Sequence, residues 1–347
     1  MWIWNKKTDA SHTLKNYMAM DKLPVIQGYS FDKPFNFFDF LNQYIHMGFQ
    51  GSHVGIAISL WKDMLALRTH QKTAIFLSFT GNMISSGNRE IITYLVKHKI
   101  VAGIVTTAAA VEEDIIKCIK PFHLGNFDTK GAFLLNECVG RIGNIFAPFD
   151  RYLYLERVLN AFFTSLHIDK HSPPISTHQF THRLGLFLKD DVNTKEMYET
   201  SFLFWATHHN IPVFCPGITD GAIGDIAVFF KQNNPAFAID SVADNVALTD
   251  ILLNTSHACS IILGGGIAKH FLLNAAIFRD GFDMSIYITT APEYDGSDSG
   301  GNPEEAITWA KIKPQAKRVK VVADATIVFP LLIAAGVSPI SHSTKPL

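Results

Sequence analysis

The sequence predicts an α/β fold in which a parallel sheet is flanked by helices, and three observations carry that expectation. Short apolar runs such as Thr73–Thr80 alternate with longer segments at helical spacing, the pattern of βαβ units. Small and hydroxyl residues (Thr80, Gly81, Thr106, Thr107) close successive apolar runs, where sheets of this kind bind ligands. Hydrophobic residues make up 48% of the 347-residue chain and charged ones 18%, enough to bury a large core and too apolar for disorder.

Taken in order, residues 1–24 lack periodicity and read as an N-terminal arm carrying Trp2 and Trp4. Residues 25–335 read as one catalytic domain and 336–347 as a C-terminal tail. From Phe37 to Leu67, spacing at Phe37, Leu41, Tyr44 and Ile45 predicts two helices around a turn near Gly48 and Gly51. A strand at Thr73–Thr80, a helix from Asn88 to His98, a strand at Ile100–Thr106 and a helix from Val111 to Ile119 follow. His167/His171 and His178/His182 have the i,i+4 spacing of a shared metal site, but Ser172-Pro-Pro174 interrupts any helix and no third ligand stands nearby. A polar surface loop with no metal is the expectation there.

A second alternating half begins near Ser201, with a strand at Val213–Cys215 and the loop Pro216–Asp225. That loop reads equally as a ligand loop or as a turn in which Asp220 caps the next helix. Helix and strand repeat through Phe237–Asp240 and Asp244–Leu253. Ser260–His270 reads as strand, triple-glycine turn and helix start, so bare amides at a helix N-terminus face outward. The spacing is not G-x-G-x-x-G. His270 beside that turn reads as a general base or as a core histidine. Strands at Ser285–Thr290 and Val319–Ala323 complete the series.

Chemistry concentrates in Glu293–Lys311, which sets Glu293, Asp295, Asp298, Glu304 and Glu305 around a Gly/Ser turn, followed by Trp309 and Lys311. Pro303 suits the first turn of a helix carrying Glu305, Trp309 and Lys311, with Lys311 about 160° round from Trp309. Carboxylates and an indole face suit a cationic substrate, and a lysine beside them suits imine formation. The plainer reading is a solvated acidic loop before an amphipathic helix. A net charge of −1 gives neither a nucleic-acid footprint nor a polybasic membrane patch. Four dispersed cysteines fit a reducing compartment, no apolar run reaches about eighteen residues, and no signal pattern opens the chain, so a cytoplasmic location is expected.

Read together, Asn82–Gly87, Thr106-Thr-Ala, Val111–Asp114, Arg141–Asn144, Thr219-Asp-Gly, Gly224-Asp225, Gly264-Gly-Gly, Lys269-His270, Glu293–Gly300, Trp309–Lys311 and Ala323-Asp324 resemble the deoxyhypusine synthase family, across roughly 26–334. The resemblance implies a Rossmann-like NAD-binding fold and a homotetramer with active sites between paired subunits. It also implies a reaction: NAD takes a hydride from spermidine, 1,3-diaminopropane leaves, and the butyl imine moves onto a lysine. From there it passes to a lysine of the translation initiation factor 5A precursor, and the hydride returns. By position, Lys311 matches the imine-forming lysine and His270 the base. Asp225, Asn274, Tyr287, Asp298, Glu305 and Trp309 match the polyamine pocket. Asn82, Thr107, Glu113, Asp220, Thr290, Asp295, Ser299 and Asp324 match NAD contacts.

Gly81 stands where a serine is common, Ala109 and Ala110 replace a glycine pair, and Phe271 replaces a second histidine. Two other functions fit much of the pattern: transfer to a small amine such as putrescine, and a silent subunit that activates a partner copy. The Lys311/His270 pair argues against the second.

Overall fold

The computed structural model describes residues 22–70 and 73–337. Trp2, Trp4, nearly all of the expected arm and most of the expected tail lie outside them. Nine strands are described: β1 (Thr73–Phe79), β2 (Gly103–Val105), β3 (His123–Leu124), β4 (Val139–Ile142), β5 (Ile145–Pro148), β6 (Val213–Phe214), β7 (His257–Leu263), β8 (Phe282–Thr289) and β9 (Ile312–Val322). Six of them form one parallel sheet in the order β6-β2-β1-β7-β8-β9. Counted along the chain within that sheet, the order is 3-2-1-4-5-6, the doubly wound order whose direction reverses between the first and fourth strands. The Rossmann-like expectation holds.

Side chains of successive strand residues point to opposite faces, and both faces are covered. Ile75, Leu77 and Phe79 of β1 join the larger core with helices Phe49–His70, Asn88–Lys97, Ala108–Ile119 and Ala325–Gly336. Ala74 and Phe76 join the second core, under helices Ser241–Leu253 and Gly266–Ala276. Tyr287 of β8 belongs to this second face, beside Leu272 and Leu273. Among the described residues no helix is long and apolar enough to cross a membrane.

Several boundaries differ from expectation for physical reasons. The turn falls at Gly48 (φ +82), and Gly51 lies inside the continuous helix Phe49–His70. The helix after β2 starts at Ala108, three residues early, because its alanines carry no apolar periodicity. Strand β9 starts at Ile312 rather than Val319, since Pro314, Gln315 and Lys317 hide a strand with a register shift near its start. Phe237–Asp240 makes only an isolated bridge, Ile175 to Ile239. His178 and His182 lie on helix Thr177–Asp190, not in a loop, and His178 Nδ1 meets Asp244 Oδ1 at 2.7 Å. A small antiparallel sheet, β3-β5-β4, was not expected. Its signal was present: Gly143-Asn144 is a two-residue hairpin loop with Gly143 at φ +60.

The buried carboxylate of Asp114 accepts from Arg89 Nε (2.7 Å), Ser201 Oγ (2.6 Å) and the Leu203 amide (3.1 Å). Asp114→Ala strands the buried Arg89 charge and is expected to cost about 3–5 kcal/mol in urea unfolding. Asp114→Asn, which keeps an acceptor, is expected to cost less.

Candidate active site

Helix Gly266–Ala276 follows β7 through Gly264 (φ +86) and Gly266 (φ +65), backbone conformations that only glycine adopts without strain. The helix puts His270 one turn from its start and Asn274 four residues on, exposed on the same side. Facing it is the 3-10 turn Asp298–Gly300. Asp298 Oδ1 pairs with His270 Nε2, and Lys311 Nζ stands 3.5 Å from His270 Nδ1. With Nε2–H held by the carboxylate, Nδ1 carries the lone pair that faces the amine. The three groups have the geometry of a nucleophile, a base and a group that orients the base.

Lys311 does not reach this place on a helix. Helix Pro303–Thr308 ends before Trp309, and Ala310 turns left-handed (φ +54). The Lys311 carbonyl then accepts from the Phe282 amide at 3.0 Å, ahead of β9. The expected 160° separation is therefore replaced by an approach: Lys311 Nζ lies 5.9 Å from the centre of the Trp309 ring, which is 63% exposed.

Of the five carboxylates in the acidic loop, three shape it. Glu293 accepts from Asn302 Nδ2, Asp295 from the Ser297 amide, and Glu304 pairs with Arg318. Asp298 and Glu305 remain for other work. Two lysines that sequence reasoning left without a role anchor the turn from below. Lys269, 5% exposed, donates to the Asp298 carbonyl at 2.8 Å, and Lys320 donates to the Gly300 carbonyl at 2.5 Å. Burial pushes both ammonium pKa values down, against the opposing pull of Asp298 and Glu305 on Lys269 and of Glu293, Asp295 and Glu305 on Lys320. Lys269 also stands 5.2 Å from the Tyr287 ring centre. Tyr287 is 2% exposed, and burial, with Asp298 and Glu305 nearby, raises its hydroxyl pKa. Tyr287 Oη and Asp298 Oδ2 are both buried without a hydrogen-bond partner. Such atoms are costly to leave unpaired, and these two lie in one cluster with Glu305.

The other candidates line the carboxyl edge of the sheet. Asn82 opens a short helix after β1, and Thr107 follows β2, its hydroxyl accepting from the Gly81 amide at 3.1 Å. Thr290 is exposed after β8. Asp324 caps helix Ala325–Gly336 after β9 by accepting from the Thr326 amide at 2.6 Å. Ser299 packs on Gly265 of the triple-glycine turn. Asp220 caps a helix, though not the next one: its Oδ1 accepts from the Ala108 amide at 3.2 Å. Two candidates stand apart. Asp225 is exposed on helix Ala222–Asn233, with Glu112 rather than Asp298 as its charged neighbour. Glu113 is buried, takes the Ser85 hydroxyl, and is pushed up to about 7 chiefly by burial.

The strand order and the amine–imidazole–carboxylate cluster define a doubly wound α/β protein with a candidate site built around a lysine amine. The chain belongs to the deoxyhypusine synthase family, and is thus a transferase. The family model for deoxyhypusine synthase matches residues 39–336. The probable deoxyhypusine synthase of Methanocaldococcus jannaschii is 46% identical over 295 residues, covering 84% of this chain and 89% of its own. The deoxyhypusine synthase of Candida glabrata is 39% identical over 336 residues, covering 86% and 85%. A crystal structure of a candidate deoxyhypusine synthase from Entamoeba histolytica superposes with a TM-score of 0.63 at 30% identity, covering 89% of this chain and 96% of its own.

Two departures from the family pattern prove to be neighbours. A Cβ built on Gly81 would collide with the Ala109 methyl. The two positions share room for one methyl group, so Gly81→Ser is expected to lower stability by about 1–3 kcal/mol through overpacking. Adding Ala109→Gly should recover most of that loss in a double-mutant cycle read by urea unfolding.

Glu113 gives a prediction with a sign. Its folded pKa is raised from 4.5 to about 7, so its contribution to stability is complete below about 4.5 and is lost as pH rises through 7. Glu113→Gln is expected to stabilise the protein relative to the parent at pH 8 and to lose that advantage at pH 4.5, as measured by Tm at both values.

Proposed function

We propose that the protein transfers the 4-aminobutyl group of spermidine, through an imine on Lys311, to a lysine of the translation initiation factor 5A precursor, with NAD as a cofactor that is not consumed. The observation that carries this reading is the Lys311–His270–Asp298 cluster together with the two buried, unpartnered atoms Tyr287 Oη and Asp298 Oδ2. A polyamine brings ammonium groups that such atoms accept, and Glu305 and the open face of Trp309 supply further attraction for cations.

The residues present fit a dinucleotide. Gly266 opens an eleven-residue helix with empty space where a Cβ would stand, and its cap Gly265 supplies no side chain, so backbone amides face the crevice at the switch point. Asp220, Asp295 and Asp324 are exposed along the same edge, the residue type that takes ribose hydroxyls and disfavours a 2′-phosphate. When bound, NAD supplies the hydride acceptor and later the donor. The chain's part is acid–base work and positioning. His270 Nδ1 takes the proton of the Lys311 ammonium, and the free amine then adds to the C=N carbon of the oxidised polyamine, from which 1,3-diaminopropane leaves carrying that proton. Asp298 keeps the imidazole aimed and balances the charge it gains. A lysine of the acceptor then displaces Lys311 from the imine.

Asp225 completes the polyamine pocket in this reading only from a neighbouring subunit. It lies on a helix whose Val228 and Phe229 are exposed, a face suited to the pairing of copies in a homotetramer. The four free cysteines agree with a cytoplasmic setting.

The test is incubation with labelled spermidine and NAD, with and without the acceptor protein, followed by borohydride trapping and peptide mapping. Label is expected on the Lys311 peptide without acceptor and on the acceptor when it is present. His270→Ala should slow transfer by about 10²–10⁴-fold. Label recovered only in a small amine would redirect the reading to a homospermidine-type transfer, and a Lys311→Arg variant still active in transfer would reject the assigned nucleophile.

A further inference from the structure

Two helices at the carboxyl edge begin without a side-chain cap of their own. Thr107 makes no cap bond to helix Ala108–Ile119, and Gly221 has no side chain to offer helix Ala222–Asn233. Each is capped by a carboxylate from the other unit. Asp220, one residue before Gly221, accepts from the Ala108 amide at 3.2 Å. Glu112, on the second turn of the Ala108 helix, accepts from the Ile223 amide at 3.0 Å, with the Ala222 amide close by. The contact is close: a Cβ on Gly221 would lie 2.8–2.9 Å from the Glu112 carboxylate oxygens, so a side chain there would push the carboxylate aside.

Glu112 is 5% exposed and has no basic partner among its named neighbours. Burial raises its pKa, the nearby Asp220 and Asp225 add to the rise, and the two amides oppose it. Among the described residues this buried acid has no counter-ion, and its bond to a helix-start amide ties it to the loop of the other helix. The Gly81 amide, bonded to the Thr107 hydroxyl at 3.1 Å, ties the loop after β1 into the same assembly.

We propose that Glu112 is a positioning residue: with Asp220 it forms a reciprocal clasp of two helix N-termini that fixes where Asp220 faces the cofactor crevice and where Asp225 is presented. The inference rests on the NAD-dependent reading above. It adds that the β2 and β6 loops are set together, so that disturbing one cap moves the other. Among the described residues, no group of the acidic loop or around Lys311 hydrogen-bonds to the Asp220 or Glu112 carboxylate.

The experiment compares Glu112→Ala, Glu112→Gln and Gly221→Ala with the parent enzyme, by amide hydrogen exchange of peptides spanning 106–112 and 220–226 and by steady-state kinetics in NAD. Glu112→Ala is expected to speed exchange in both peptides and to raise the NAD KM about tenfold, as the loss of the capping bond at Ile223 implies. The kcat at saturating NAD should change less than about threefold, because the Lys311 side keeps its geometry. Glu112→Gln keeps an oxygen acceptor and should stay within about threefold of the parent in KM. Should Glu112→Ala fail to fold, Gly221→Ala disturbs the same crossing from the other side and is read in the same way. Faster exchange in 220–226 alone, or a folded variant with the parent's NAD KM, overturns the inference. A parent enzyme that binds no NAD rejects the cofactor reading instead, and the paired exchange then decides the clasp by itself.

Discussion

Six parallel strands with both faces covered impose one constraint from which the site follows. Each crossover must return to the same edge, so every strand-to-helix loop of the large sheet opens on the carboxyl side. The chain fills β1, β2 and β6 outward in one direction, then jumps back across β1 to lay down β7, β8 and β9 in the other. At that jump the two sets of loops diverge and leave a crevice. Asn82, Thr107 and Asp220 stand on one side of it, and Gly264–Gly266, Thr290 and Asp324 on the other. Residues more than two hundred positions apart become neighbours through register alone.

Charge is handled differently on the two sides. The acidic loop carries five carboxylates, and the protein meets that density with ammonium groups drawn from beneath it, Lys269 and Lys320, each bonded to a loop carbonyl rather than to a carboxylate. This arrangement leaves Asp298 and Glu305 with negative charge to present, while the turn that carries them is held from below. On the β2–β6 side the acids are held by backbone amides instead, Glu112 at Ile223 and Asp220 at Ala108. Helix N-termini bear partial positive charge, which makes them suitable partners for acids where no lysine is present.

Packing shows the same economy at smaller scale. Gly81 and Ala109 touch, so closely that a Cβ on the first would collide with the methyl of the second. In a close-packed interior the volume at such a contact is shared, so a change at one position sets what the other tolerates. Phe271, in place of a histidine, packs against Phe214 at 6.1 Å between ring centres and joins the apolar second face. Nothing in the structure explains Ala110, which is buried against the larger core.

The sequence by itself determined the class of the fold. Apolar runs bounded by glycine and hydroxyl residues mark buried strands because a strand covered on both faces is mostly apolar, and β1, β7 and β8 were legible for that reason. It also marked most of the candidate site, since glycine turns, clustered acids and a Trp-Ala-Lys run are local features that persist in the one-dimensional record. Short-range geometry was less legible. The path of Lys311 out of helix Pro303–Thr308 depends on one left-handed residue, Ala310, a conformation that alanine does not advertise. Partnerships were not legible at all. That His270 meets both Asp298 and Lys311, that Asp220 caps a helix starting at Ala108, and that Glu112 answers it at Ile223 were decided by the tertiary structure. Each pairing joins atoms from separate crossovers, and only the order and register of the sheet bring those crossovers together.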